Sequence, residues 1–277
     1  MSDWQPGPAW LFCPADRPDR YGKALSRADV VILDLEDAVA PDNKQAARDS
    51  LRRLADDGAL DRERTIIRIN AAETPDHAPD ADLVRELGIA RVMLAKSERV
   101  ADIAALPHEV IVLLETPAGI ERAGEIASAD HVVAVMWGAD DLVAGLGGTS
   151  SRFPDGHYRD IARHARSRAL LAAKTSGRLA VDAVHMDIPD VEGLAAECED
   201  AVAIGFDATV AIHPSQLDVI RSSYTPQAER IEWARRLLAQ VGDDRKVTTF
   251  EGRMVDRPIY QQAERVLHLA AVTMVDT

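Results

Sequence analysis

The sequence predicts a parallel α/β fold, a (β/α)8 TIM barrel followed by a C-terminal helical extension, and three observations lead there. Eight short runs rich in Val, Ile and Leu recur along the chain, each about the length of a strand buried on both faces. Segments with helical spacing separate them, so successive strands are joined by crossovers and pair in parallel. The chain has 277 residues, and a barrel of roughly 250 residues leaves only a tail to spare.

The predicted strands are 9–14, 30–37, 65–70, 91–96, 109–116, 131–141, 178–184 and 207–214. No glycine-rich G-x-G-x-x-G turn follows the first, which weakens an open dinucleotide-binding sheet as the alternative. Helical spacing appears over 43–55, 80–87, 120–127, 158–175 and 191–204, and the one loose stretch, 71–79, mixes prolines with polar residues. Beyond the eighth strand, 226–240 and 258–272 each read as a helix opened by proline at or near its first position, with a charged, glycine-containing loop over 242–256 between them. The expected organisation is a barrel over 1–220 and an extension over 221–277 that packs across the barrel mouth, a neighbouring subunit, or both.

Composition narrows the partners. Thirty-two Lys and Arg stand against 46 Asp and Glu, a formal net charge of −14. That sign repels phosphate backbones and anionic lipid headgroups, so neither nucleic acid nor a membrane is expected. With 47% apolar and 28% charged residues the chain can bury a large core. Cys13 and Cys198 are too few for a disulfide framework or a zinc cluster and read as buried thiols. Met1 to Ala9 lacks the basic start and apolar stretch of a secretory signal, and no run nears the roughly 20 apolar residues of a membrane span. A cytoplasmic location is expected.

Barrel enzymes place their working residues at the C-terminal ends of the strands. Here those ends read Asp34-Leu35-Glu36-Asp37, Arg68-Ile69-Asn70, Lys96, Glu115-Thr116, Gly138-Ala139-Asp140-Asp141 and His213-Pro214. Glu115 and Asp141 fall at neighbouring strands, and two like charges side by side repel strongly in a low-dielectric pocket. A divalent cation resolves the conflict. Two oxygen ligands in an otherwise open sphere suit Mg2+, which keeps waters and accepts substrate oxygens, with Mn2+ as a substitute. No histidine or cysteine accompanies the pair, which speaks against zinc. The alternative pairs one carboxylate with Arg68 or Lys96.

Arg68 can offer its planar fork to a substrate carboxylate, or form an interstrand ion pair with Glu36 or Asp37. Glu36 and Asp37 in turn either meet metal-bound water or hold Arg68, and with Lys96 they stand behind the substrate contacts. After the first strand, Arg17, Arg20 and Lys23 gather three cations where phosphate or pyrophosphate could dock at a helix N-terminus, unless the loop is simply solvated. His213 reads as a packed structural histidine.

These residues carry a family resemblance over about Trp10 to Ala263. The motifs are Leu-Phe-Cys-Pro-Ala-Asp-Arg-Pro (11–18), Leu-Asp-Leu-Glu-Asp-Ala-Val (33–39), Arg-Ile-Asn (68–70), Glu-Thr-Pro-Ala-Gly (115–119), Trp-Gly-Ala-Asp-Asp-Leu (137–142), Ile-His-Pro-Ser-Gln (212–216) and Gly-Arg-Met-Val-Asp-Arg-Pro (252–258). Any one is weak; seven in order are specific. The chain resembles the citrate lyase β-subunit-like branch of the HpcH/HpaI aldolase superfamily, which includes malyl-CoA and citramalyl-CoA lyases. The resemblance implies a homotrimer or a dimer of trimers assembled through the extension, and Mg2+ held by Glu115 and Asp141. It further implies that Gly138 and Ala139 join Arg68, Glu115 and Asp141 around the substrate, with Arg68 gripping the carboxylate of the keto-acid portion. Asp256 matches the acid/base aspartate of the extension, and Arg17 and Lys23 match positions associated with coenzyme A phosphates. Ala15, Ala95 and Asp140 stand where relatives commonly have glycine, proline and glutamate.

The activity so implied is reversible, Mg2+-dependent carbon–carbon cleavage of a short 3-hydroxyacyl-CoA, such as malyl-, citramalyl- or citryl-CoA, into a 2-oxo acid and an acyl-CoA. Three rival readings are a malyl-CoA thioesterase, a citrate lyase β subunit acting on an acyl carrier protein, and a catalytically silent metabolite-binding protein. The intact set Arg68, Glu115, Asp141 and Asp256 speaks against the last.

Overall fold

The structure, a computed structural model, describes residues 4–241 and 246–274. The chain falls into two compact units, Met1–Ile220 and Arg221–Thr277. In the first, β1 (Ala9–Pro14), β2 (Val30–Asp34), β3 (Thr65–Ile69), β4 (Arg91–Leu94), β5 (Glu109–Leu114), β6 (Val132–Trp137), β7 (Leu179–Asp182) and β8 (Ala208–Ala211) close in chain order into a parallel (β/α)8 barrel, with β8 bonded to β1. The crossovers carry α1 (Pro18–Leu25), α2 (Lys44–Asp56), α3 (His77–Leu87), α4 (Val100–Ala104), α5 (Pro117–Glu121), α6 (Ala123–Ala127), α7 (Asp140–Gly145), α8 (Asp160–Thr175) and α9 (Val191–Ile204). Then come α10 (Leu217–Tyr224), α11 (Ala228–Val241), the hairpin β9 (Thr248–Phe250) and β10 (Arg253–Val255), and α12 (Arg257–Thr273).

One buried cluster draws on every barrel strand, from Trp10, Ile32 and Ile66 through Met93, Leu113 and Met136 to Val181 and Val210. Only the barrel interior lets all eight strands meet. Strand side chains alternate faces with period two, so Asp34 and Arg68, two positions after Ile32 and Ile66, form the next inward layer. The β2–β3 register sets them opposite each other. The same alternation, carried one residue past β5 and β6, brings Glu115 and Gly138 into that layer. Apolar filling thus gives way to charge at the C-terminal end of the barrel.

The strands stop earlier than expected at that end. β2, β4, β5 and β6 finish at Asp34, Leu94, Leu114 and Trp137, so the charged residues beyond them sit on βα loops. After β2 the cause is Asp34, whose carboxylate accepts from the Glu36 and Ala38 amides at 2.8 and 3.0 Å and takes them from the sheet ladder. The helix expected over 80–87 begins at His77, with Pro79 in the first turn, where its missing N–H leaves no bond unmade. The helix expected over 120–127 is two. Thr116 Oγ1 accepts from the Gly119 amide at 3.0 Å and Pro117 opens α5, while Arg122, at ψ 12°, separates it from α6.

In the second unit α11, α12 and the hairpin pack around Ala234, Leu237, Phe250, Val255, Tyr260 and Ala263. The loop expected over 242–256 is a hairpin in its described part, 246–256; residues 242–245 lie outside the described residues. Phe250 faces Arg253, and the two turn residues, Glu251 and Gly252, have φ of 48° and 75°. Two consecutive left-handed residues make a type I′ turn, whose twist matches that of the strands. Cys13 and Cys198 are buried free thiols, pushed by desolvation to pKa values of about 11 and about 12. Among the described residues no helix is long and apolar enough to cross a membrane.

Candidate active site

The charged end of the barrel is built outward from Asp34. Its carboxylate, 1% exposed, takes Nε and Nη2 of Arg68 at 2.7 and 2.6 Å while holding the two loop amides. Arg68 Nη1 lies 3.1 Å from Glu36, and the guanidinium sits 4.7 Å over the Phe12 ring. Burial works against the Arg68 charge, but the hydrogen bonds and charge of Asp34 hold its pKa above the ordinary value. Those three nitrogen contacts leave two of the five guanidinium N–H groups for a ligand. Underneath, Lys44 donates to the carbonyls of Leu35 and Glu36 at 2.8 Å each and to Asn70 Oδ1 at 2.9 Å. Asp80 accepts from Asn70 Nδ2 at 2.6 Å and from Arg48 at 2.8 Å.

Glu115 follows β5 and is 3% exposed. Its Oε1 accepts from the Lys96 amide at 3.1 Å. Gly138 makes room for it: a Cβ there would come within 2.9 Å of Glu115 Cβ and 3.0 Å of Oε2. Desolvation, opposed by Arg68 and Lys96, pushes the Glu115 carboxyl up to about 8. Asp141 lies not on β6 but in the first turn of α7, after Ala139 at the N-cap, and its side chain is 43% exposed. Next to it, Asp140 accepts from Ser151 Oγ at 2.6 Å.

Lys96 joins the two sides. Its ammonium contacts Glu36 and lies 3.5 Å from Asp37, 3.6 Å from Asp141 and 3.9 Å from Glu115. Desolvation would lower its pKa, but the Glu36 hydrogen bond and the surrounding carboxylates raise it. Glu115 and Asp141 therefore face one common positive centre. Their donor atoms are all oxygen, and among the described residues no cluster of three or more His, Cys, Asp or Glu side chains is set to hold a metal. An ion taken here would have two protein carboxylates and would complete its shell from water or a bound molecule, a donor set that fits Mg2+.

The structure thus brings together Glu36, Asp37, Arg68, Lys96, Glu115 and Asp141, with Gly138 and Ala139 at the same turn. Both readings of Arg68 meet: it is an interstrand ion pair, made with Asp34 and Glu36, and it keeps donors for a ligand. Arg17 precedes α1 at its N-cap and Lys23 lies in the helix's last turn, and Arg17 makes an exposed ion pair with Asp19 at 2.9 Å. His213 Nδ1 accepts from the Ser215 amide at 3.2 Å, a structural turn cap. Asp256 belongs to the second unit, where it precedes α12 in extended backbone and its carboxylate does not cap the helix.

Sequence reasoning missed the roles of Asp34 and Lys44. Asp34 had a partial signal, its inward place two positions after Ile32, but its register with Arg68 had none, and neither did a buried lysine on an amphipathic helix. A further cleft, about 570 Å3, opens between α8 and α9. Its charges answer one another: Arg166 binds Asp182 at 2.7 Å, Asp182 accepts from Trp137 Nε1 at 2.6 Å, and Glu197 takes Arg152 and His185. Trp137 thereby anchors the end of β6 from outside.

Known proteins share this architecture. The family model described as HpcH/HpaI aldolase/citrate lyase matches residues 9–214. A citrate lyase subunit beta-like protein of Mycobacterium tuberculosis is 55% identical over 265 residues, 95% of this chain and 96% of that protein. An L-malyl-CoA/beta-methylmalyl-CoA lyase of Cereibacter sphaeroides is 32% identical over 302 residues, covering 96% and 95%. The crystal structure of CitE from Mycobacterium tuberculosis in complex with magnesium, acetoacetate and coenzyme A superposes with a TM-score of 0.89 at 55% identity, covering 96% of this chain and 98% of that one. With its parallel barrel, its acidic rim and a match over most of its length, the chain belongs to the HpcH/HpaI aldolase/citrate lyase family.

Proposed function

We propose that this protein is a Mg2+-dependent lyase that cleaves, or forms, the carbon–carbon bond of a short 3-hydroxyacyl-CoA such as malyl-, citramalyl- or citryl-CoA, yielding a 2-oxo acid and an acyl-CoA. The observation that carries the reading is the meeting of Glu115 and Asp141 around one positive centre, 3.9 and 3.6 Å from the Lys96 ammonium, beside a buried Arg68. The malyl-CoA lyase relative and the CitE complex with magnesium, acetoacetate and coenzyme A support it.

Glu115 and Asp141 are the residues that would hold the ion. Bound there, a divalent cation supplies Lewis-acid polarisation of the substrate's hydroxyl or oxo oxygen. Arg68, fixed by Asp34, directs its remaining N–H groups at the carboxylate of the 2-oxo acid portion, a positioning contribution. Gly138 and Ala139 let the substrate approach the rim backbone. Asp256 works at the other fragment: as the bond breaks, its carboxyl proton passes to the departing carbon of the acyl-CoA, and the substrate's hydroxyl proton, released through solvent, restores the acid form. In the condensing direction the Asp256 carboxylate removes that carbon-bound proton. Arg17 and Lys23 receive the coenzyme A phosphates. The extension carrying Asp256 is the segment through which a homotrimer or dimer of trimers would assemble.

The test is direct. Purified protein with Mg2+ is given malyl-, citramalyl- and citryl-CoA, and products are identified by mass. Glyoxylate, pyruvate or oxaloacetate together with acetyl-CoA is the expected result. Free hydroxy acid and coenzyme A would make the protein a thioesterase, and turnover restricted to acyl-carrier-protein thioesters would make it a citrate lyase subunit.

A further inference from the structure

We infer that Lys96 is the resident counter-ion of this rim: its ammonium holds Glu115 and Asp141 together when no divalent ion is present and is exchanged for that ion when one binds. The inference rests on the metal reading of Glu115 and Asp141 given above.

Three features of Lys96 support it. Its ammonium lies within 4 Å of four carboxylates, touching Glu36 and standing 3.5, 3.6 and 3.9 Å from Asp37, Asp141 and Glu115. A compact charge with three donors on a flexible stem can serve several acceptors at once, which a planar guanidinium cannot. Second, its backbone is left-handed, at φ 50°. A side chain rarely adopts that conformation, and it persists only where the surroundings fix it. Third, that backbone aims the Lys96 amide at Glu115 Oε1, 3.1 Å away. One residue therefore orients Glu115 through its main chain and neutralises the rim through its side chain.

Exchange follows from distance. A Mg2+ ion bonds carboxylate oxygen at about 2.0–2.1 Å, so an ion shared by Glu115 and Asp141 comes within a few ångströms of the ammonium's present place. Two cations that close repel, and more strongly in a poorly solvated pocket. The lysine has somewhere to go: it already touches Glu36, and its side chain is 31% exposed. Lys96 then keeps the metal-free pocket assembled and lowers its affinity for the metal.

Calorimetry with Mg2+ alone, on the wild type and on Lys96→Met, reads the competition. The methionine has similar reach and no charge. In parallel, wild-type protein is treated with an amine-acylating reagent with and without saturating Mg2+, and Lys96 modification is measured by mass spectrometry against exposed Lys23. Expected are Mg2+ binding tighter by roughly tenfold or more in Lys96→Met and a severalfold rise in Lys96 acylation when the wild type is loaded, since the amine loses two carboxylate neighbours. Equal or weaker Mg2+ binding by a folded Lys96→Met overturns the inference, as does unchanged acylation in a wild type that binds Mg2+. Should Lys96→Met fail to fold, the acylation measurement decides alone. Mg2+ uptake by neither protein refutes the metal reading itself, and the inference with it.

Discussion

Replacing Asp34 by asparagine isolates the bond that fixes Arg68. The carboxylate accepts four hydrogen bonds, from Arg68 Nε and Nη2 at 2.7 and 2.6 Å and from the Glu36 and Ala38 amides at 2.8 and 3.0 Å. Asparagine keeps one acceptor oxygen and turns the other position into a donor. Whichever way the amide faces, it sets an N–H against one guanidinium nitrogen and one loop amide. Arg68 is only 8% exposed, so water cannot replace the lost partner, and breaking a buried pair from one side costs about 3–5 kcal/mol. For a chain of this size each kcal/mol lowers the transition by about 2–4 °C, which gives a loss of roughly 6–20 °C. Calorimetric melting of Asp34→Asn, Arg68→Met and the double variant measures this. The double variant should lose less than the sum of the two single variants by about 0.5–3 kcal/mol, because the second change removes the charge that the first left stranded. A loss below about 1 kcal/mol in Asp34→Asn would refute the idea that Asp34 holds Arg68.

Three further outcomes are expected. Gly138→Ala places a Cβ 2.9 Å from Glu115 Cβ and 3.0 Å from its Oε2, so stability falls by about 1–3 kcal/mol and Mg2+ affinity by about 10- to 100-fold; calorimetry that finds wild-type affinity shows the glycine is not there for clearance. Asp256→Asn keeps Mg2+ and 2-oxo-acid binding but slows cleavage of malyl-CoA or citramalyl-CoA by about 10²- to 10⁴-fold, and undiminished turnover removes Asp256 from the mechanism. The third concerns pH. The hydrogen bond from His185 Nδ1 to Glu197, 2.9 Å long, raises the histidine's pKa against the opposing effect of burial. The folded state therefore favours imidazolium, a contribution fully present below the unfolded value of about 6.5 and lost as pH rises through the raised folded value. The melting advantage of wild type over His185→Gln should accordingly be larger at about pH 5.5 than at about pH 8.5, and the opposite trend would contradict the assigned pairing.

Much of the barrel was legible because buried parallel strands leave unbroken apolar runs, and eight of them alternating with helical spacing admit few architectures. Their ends were not. Leu35 after β2 is as apolar as the residues before it, and what stops the strand is a carboxylate turning back onto its own loop amides. Pro117 and Thr116 announced a helix start that the apolar pattern placed three residues later. Part of the rim could be inferred, since Glu115 and Asp141 end successive apolar runs. The Asp34–Arg68 pair spans 34 positions and is set by interstrand register, which only closure reveals. The alternative that a rim carboxylate pairs with Lys96 is met by both Asp141 and Glu115, at 3.6 and 3.9 Å; that one ammonium reaches all of these carboxylates was not legible, because its reach depends on a left-handed backbone that nothing adjacent in the sequence requires. Asp256 entered through family resemblance alone; a lone aspartate in a charged tail carries no periodicity to single it out.

The tethering of Arg68 also bears on how selectivity can change. A guanidinium already immobilised in the free protein has little rotamer freedom to surrender when a carboxylate arrives, a saving of about 0.5–1.5 kcal/mol over a side chain that must first be ordered. Because that preordering comes from Asp34 on β2 and not from the βα loops, substitutions in those loops would leave the carboxylate grip proposed above for Arg68 intact.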